Sequence, residues 1–254
     1  MYFAEALFSK YTDPGTATFV APAGVTKVDV LVVGGGGGGG YPDSAGGSGS
    51  INRATLAVTP GTSYSVAVGA GGHTGCYNDN SPDGDASSFG SDMLTAAGGV
   101  RGIPYSGGAG AGGSGGGAGS ENSLCPGGSN GGTNGGAGGS CNDAQGGAGQ
   151  GESQWNTFLA PFKYNSLTAG NGGAGMAGTS EEYPPSRTAG GGGGGVLFNG
   201  EGGNAADGGG SICNGKAGAG YGGGGGAGGF SGEYNSCSGR GSDGLVYIEW
   251  KTPV

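Results

Sequence analysis

The segment richest in side-chain chemistry is Glu152-Ser-Gln-Trp-Asn-Thr-Phe-Leu-Ala-Pro-Phe-Lys-Tyr-Asn-Ser-Leu-Thr-Ala169. It holds no glycine, in a chain otherwise full of it, and it carries Trp155, Phe158, Phe162 and Tyr164. Aromatic rings at a loop tip offer large contact area at low entropy cost. They suit stacking on sugars or gripping the loops of another protein. The same rings can instead pack on one another or cap the end of a scaffold. Three other interruptions have the same character. Thr179 to Arg187 holds Tyr183, stiffened by Pro184 and Pro185. His73 to Asp85 holds Tyr77 and Asp79, and Phe230 to Cys237 holds Tyr234.

Patterns for other chemistry fail where it matters. Asp79-Asn-Ser-Pro-Asp83-Gly84-Asp85 echoes a calcium loop, but the position of the bidentate Glu is Gly90. An ordinary Asx/Pro turn explains it, and no metal or other cofactor is expected. Gly112-Gly-Ser114-Gly-Gly116 fits a nucleophile elbow, yet no strand precedes it and the sole histidine is His73. Gly210 to Ala217 is one residue short of a P-loop, and Ala217 lacks the hydroxyl that would bind Mg²⁺. No enzyme activity is expected. Cys76, Cys125, Cys141, Cys213 and Cys237 all lie in polar interruptions, with no zinc spacing. Two loop-tip disulfides in oxidising surroundings, or reduced thiols near solvent, both fit them.

Glycine supplies 74 of the 254 residues, about four times ordinary usage. Hydrophobic residues are 33 % and charged residues 11 %, too few for one conventional core along the whole chain. Interior glycine disfavours long helices. No apolar run is long enough for a membrane span. The net charge of −9, with scattered cations, gives no basic patch, so no nucleic-acid partner is expected. The first ten residues lack the layout of a signal peptide, which points to synthesis in a cytoplasm.

Strand patterns lie near both ends. Thr16 to Val20 is short. In Val25 to Val33, Val28, Val30 and Val32 share a face. Ile51 to Val58 and Ser63 to Val68 alternate around a Thr59-Pro-Gly-Thr62 turn. Ser88-Phe89 and Met93 to Thr95 read as short strands, and Leu245 to Trp250 as a strand of high propensity. The expected fold class is mostly β and irregular, with few or no α-helices. Residues 1–15 form a short attachment segment. Residues 16–97 and 244–254 form one small antiparallel β domain, and 98–243 a glycine-dominated part.

Glycine-rich chains usually behave as flexible coil. Three details favour order here. Large side chains such as Leu124, Trp155, Met176, Phe198 and Tyr221 interrupt the runs, serine does not dominate, and the run at Gly34 follows directly on Val33. The ordered form is polyglycine II, an extended threefold helix without internal hydrogen bonds. Each amide and carbonyl then needs a partner in a neighbouring helix. Gly107 to Gly119 would make a rod about 40 Å long at about 3.1 Å per residue.

Phe19-Val-Ala-Pro-Ala-Gly-Val-Thr-Lys-Val-Asp-Val-Leu-Val-Val-Gly34, with the glycine run to Gly40, resembles the start of the glycine-rich domain of many bacterial and phage proteins. Ser87-Ser-Phe-Gly90 with Leu94-Thr-Ala-Ala-Gly-Gly99, and Gly244-Leu-Val-Tyr-Ile-Glu-Trp250, resemble its second signature and last strand. Within that family the plan is similar to the tail-fibre tip adhesins of T-even-like phages. The resemblance implies a polyglycine II bundle whose loops bind a host cell-surface receptor, an outer-membrane protein or a glycan. It implies a virion tail fibre or tail tip as location, with a phage fibre or tail protein holding the β domain and N-terminus. The candidate contacts are then Trp155, Phe158, Phe162, Tyr164, Tyr183, Tyr77, Asp79 and Tyr234. A purely structural virion component is the first alternative, and an ice-binding protein the second.

Overall fold

Strands rich in β-branched and aromatic residues build the sheets, and their register carries into the glycine segments that adjoin them. The computed structural model describes residues 6–40, 45–76, 81–103, 167–169, 196–198, 215–226 and 237–251. Among these the strands are β1 (Ala6–Tyr11), β2 (Gly15–Val20), β3 (Lys27–Val33), β4 (Ile51–Ala57) and β5 (Ser63–Val68). There follow β6 (Ser87–Phe89), β7 (Leu94–Ala96), β8 (Leu167–Ala169), β9 (Val196–Phe198) and β10 (Leu245–Lys251). There is no α-helix among the described residues, so none there is long and apolar enough to cross a membrane.

One four-stranded sheet has the order β1-β10-β3-β4, another β2-β5-β6-β7, and β8 pairs with β9. All pairings are antiparallel. The two larger sheets share one core. Val28, Val30 and Val32 of β3 meet Val246, Ile248 and Trp250 of β10, and Phe19, Val66, Val68, Phe89 and Ala96 come from the other sheet. Phe19 links Trp250 and Phe89 with ring centroids at 5.5 and 6.0 Å, distances at which aromatic pairs attract. Tyr11 packs partly buried against this core, its hydroxyl donating to the Thr18 carbonyl at 3.4 Å. Burial raises the Tyr11 pKa, partly opposed by a hydrogen bond with Ser9.

The glycine segments leave these sheets at one end. The chain passes from Val33 to Gly34, Val68 to Gly69 and Ala96 to Ala97. It returns from Ser50 to Ile51, Ala86 to Ser87 and Gly244 to Leu245. Gly34 to Gly40 is fully buried and belongs to no strand. Its amides are shared among three neighbours in strict rotation. Gly34 and Gly37 donate to Ser50 and Gly47, Gly35 and Gly38 to Asp85 and Pro82, and Gly36 and Gly39 to Ser242 and Gly239, at 2.9–3.2 Å. Its carbonyls accept from three other segments: Gly35 and Gly38 from Gly99 and Gly102, Gly36 from Gly72, and Gly37 from Gly225.

The same step of three recurs elsewhere. Ser238, Gly241 and Gly244 donate to Gly75, Gly72 and Gly69, and Gly46 and Gly49 donate to Gly225 and Gly222. Every direction around segment 34–40 is therefore occupied by backbone. A Cβ at Gly34 or Gly37 would meet the carbonyl of Ala97 or Val100, one at Gly35 or Gly38 that of Ala70 or His73, and one at Gly36 or Gly39 that of Gly223 or Gly226, all inside 3.0 Å.

Larger side chains sit on outward positions, several of them three apart, while the buried side chains of these segments are Ala45 and serines. Ala97, Val100 and Ile103 are exposed on one segment, and Asp83 and Ala86 on the next. Cys237, Arg240 and Asp243 occupy the corresponding positions of segment 237–244. At the reversal between 215–218 and 222–226, Gly220 and Gly222 take φ of 68° and 73°, which bulky residues avoid.

This packing separates two kinds of substitution. Gly36→Ala drives a methyl into the Gly223 carbonyl, so it should destabilise by more than about 4 kcal/mol or prevent folding. Val100→Ala, on the exposed ridge, should change stability by less than about 1 kcal/mol. Equilibrium denaturation by circular dichroism of the β signal measures both.

Candidate functional site

Which end of the glycine layer faces away from the sheets follows from the bonding register. Gly34, Ser50, Gly69 and Gly244 lie at the sheet end, since each adjoins a strand. Gly39, Gly46, Gly75, Ser81, Gly102, Gly215, Gly226 and Ser238 are bonded at the far end. The described chain stops there at Gly40, Cys76, Ile103 and Gly226, and resumes there at Ala45, Ser81, Gly215 and Cys237. Both flanks of connections 77–80, 104–214 and 227–236 are thus anchored at the end remote from the sandwich. At the opposite end of the sandwich, Ala6 of β1 pairs with Lys251 of β10.

The expected contact residues all fall within these connections. Tyr77 and Asp79 lie in 77–80, Tyr234 in 227–236, and Trp155, Phe158, Phe162, Tyr164 and Tyr183 in 104–214. All eight lie outside the described residues, as do Cys125, Cys141, Cys213 and the elbow-like run at Ser114.

The anchors themselves are described in detail. Cys76 and Cys237 form a disulfide and an isolated antiparallel bridge. Beside them the buried Ser81 hydroxyl donates to the Gly39 carbonyl and lies 3.1 Å from the Ser238 hydroxyl. Ser238 also receives the Gly75 amide at 3.0 Å. Two serines thereby tie four glycine segments together where the connections depart.

Short polar side chains accept four segment amides that no carbonyl serves. Asp243 accepts from Gly71 and Asp83 from Arg101, each at 2.9 Å. Ser87 accepts from Gly69 at 2.9 Å and Ser242 from Gly223 at 2.6 Å. This is how the calcium-like run is used: Asp83 caps an amide, and the Asp85 carbonyl serves Gly35. Among the described residues no three His, Cys, Asp or Glu side chains converge as metal ligands. Of the P-loop-like run, residues 210–214 lie outside the described residues, while the Gly215 amide donates to the Cys237 carbonyl and the Lys216 carbonyl accepts from the Gly226 amide.

An open depression of about 320 Å³ lies between Thr12, Tyr221, Arg240 and Asp243. Arg240 is committed there to Asp243, both contacts at 3.2 Å. The pair is partly exposed and adds little stability. Sequence reasoning did not find the capping role of Asp83 and Asp243. Its signal is an Asp before glycine at an outward position of a three-residue repeat.

A family model described as the glycine-rich domain matches residues 12–251. The chain belongs to the glycine-rich domain family. That match takes in every described glycine segment and every strand but β1, which lies just ahead of it, so the family's domain comprises sandwich and glycine layer together. No curated protein matches the chain.

The caps give a direct test within this glycine-rich domain. Asp243→Ala leaves the Gly71 amide unpaired and should destabilise by about 1–3 kcal/mol, whereas Asp243→Asn keeps an acceptor and should retain most of that stability. Chemical denaturation of the two variants measures the difference.

Proposed function

We propose that this glycine-rich domain is a phage receptor-binding protein, in which a polyglycine II scaffold displays loops to a host cell-surface receptor. One observation carries the reading: the connections bearing all eight candidate residues are anchored at one end of the molecule, while β1 begins and β10 ends at the other. Such polarity suits a module held at one end and recognising at the other.

The three-residue rotation of hydrogen bonds supports polyglycine II, because that helix has three residues per turn. The buried backbone of segment 34–40 supports a stiff mount. Loops anchored on a stiff mount lose little freedom on binding, which favours affinity. The mechanism is binding without chemistry: aromatic and polar tips on 77–80, 104–214 and 227–236 contact an outer-membrane protein or glycan. A phage fibre or tail protein holds the sandwich end, placing the chain at a tail fibre or tail tip.

A purely structural virion component would share the scaffold but bury the connections against neighbouring chains. The ice-binding reading wants a flat, regularly spaced apolar face. Outward positions here carry Asp83, Arg101 and Arg240 beside Val100 and Ile103, which argues against it.

Replacing Trp155 and Phe158 by alanine should lower binding of the purified protein to host cells by at least about tenfold, as hot-spot aromatics do, with the fold unchanged. Unaltered binding would remove that loop from the contact. Burial of Trp155 against other virion proteins would favour the structural alternative.

A further inference from the structure

We propose that the Cys76–Cys237 disulfide is a redox latch that closes the far end of the glycine layer, so that display of the connections depends on oxidation. This rests on the adhesin reading for its consequence, though not for the latch itself.

Segments 69–76 and 237–244 are joined by a hydrogen-bonded ladder. Its rungs run from the Gly244, Gly241 and Ser238 amides to the Gly69, Gly72 and Gly75 carbonyls. The spacing is three residues on each side, and the first rung adjoins the strands. Cys76 and Cys237 stand one residue outward of the last rung on their two segments, and a covalent bond closes the ladder there.

Without it, the outermost rung between these two segments is the Gly75–Ser238 pair, with Cys237 still accepting from the Gly215 amide on the other side. Their side-chain bonds are reciprocal, Gly75 donating to the Ser238 hydroxyl and that hydroxyl reaching the Gly75 carbonyl. Open ends of hydrogen-bonded ladders fray first. Fraying here would also release Ser238 from Ser81 and so loosen both flanks of connection 77–80. The inner rungs would hold, because β5 and β10 fix Gly69 and Gly244.

The latch is reachable. Cys76 and Cys237 are only partly buried. A dithiol reductant, as in a cytoplasm, would convert the S–S bond to two thiols while being oxidised to its own disulfide. An oxidising exterior reverses the exchange. The chain would therefore be made unlatched and become latched after release from the cell.

Amide hydrogen exchange on the full chain tests this, comparing oxidised protein, reduced protein and the Cys76→Ser/Cys237→Ser double variant. The double variant separates this bond from Cys125, Cys141 and Cys213. Both unlatched forms should exchange at Gly75 and Ser238 faster by an order of magnitude or more, with Gly241 and Gly244 unchanged. Both should also bind a panel of bacterial hosts more weakly than the oxidised protein. Equal exchange at Gly75 and Ser238 in all forms overturns the latch, as does acceleration spread equally over all rungs. Faster exchange with undiminished cell binding overturns the link to display. Oxidised protein that binds no host contradicts the adhesin reading instead, while the exchange data still decide the latch.

Discussion

The structure depends on a hydrogen bond between two backbones with no side chain between them. Each amide of Gly34 to Gly39 reaches a carbonyl of a different segment, and each absent Cβ leaves room for yet another carbonyl. One such bond contributes about 1 kcal/mol net. Ordering one residue costs about 1–2 kcal/mol, and most of all for glycine. A single pair of glycine segments therefore cannot hold together. Surrounding one segment by six pairs both its amides and its carbonyls, the most that backbone hydrogen bonding can return against that entropy. It excludes every residue but glycine from the central segment and admits in the surrounding ones outward-facing side chains or small buried ones such as Ala45, Ser48, Ser81 and Ser238.

The sandwich supplies what glycine lacks, a register. Val33 pairs with Leu245 and with Ile51 across β3, β10 and β4. One residue on, Gly34 bonds Ser50, and two further on, Gly36 bonds Ser242. The pairing chosen by buried Val, Ile and Trp side chains thus continues into segments with no side chains to choose by. Flat glycine strands are prone to slippage because nothing distinguishes one register from another. Here the hydrophobic core distinguishes them at one end, and Ser81, Ser238 and the disulfide do so at the other. Asp83, Asp243, Ser87 and Ser242 cap four amides that face no carbonyl.

Much of the sandwich was legible because period-two alternation leaves a mark in sequence. Val28, Val30 and Val32 share the core face as their spacing implies, and Leu245 to Lys251 is a strand. β1 was not legible: Ala6-Leu-Phe-Ser-Lys-Tyr11 has no clean alternation, and its strand exists through pairing with β10. β8 and β9 are three residues each, too short for a pattern to speak. The glycine segments within 34–86 were legible only as composition. Their partners lie up to about two hundred residues away, and glycine carries no label of its neighbour. The Cys76–Cys237 pairing was unreadable for the same reason, since five cysteines admit many connectivities. The eight candidate contact residues rest on aromatic interruptions between glycine runs, and what the described residues add is the position of the anchors flanking them.

The most direct measurement is amide hydrogen exchange at Gly34 to Gly39 in the intact chain, read against the core amides of β3 and β10. If six surrounding segments hold these amides in one cooperative unit, they should exchange only on global unfolding, at the rate of Val30 and Ile248. Exchange near the rate of an unstructured peptide, with β3 and β10 still protected, would contradict the account.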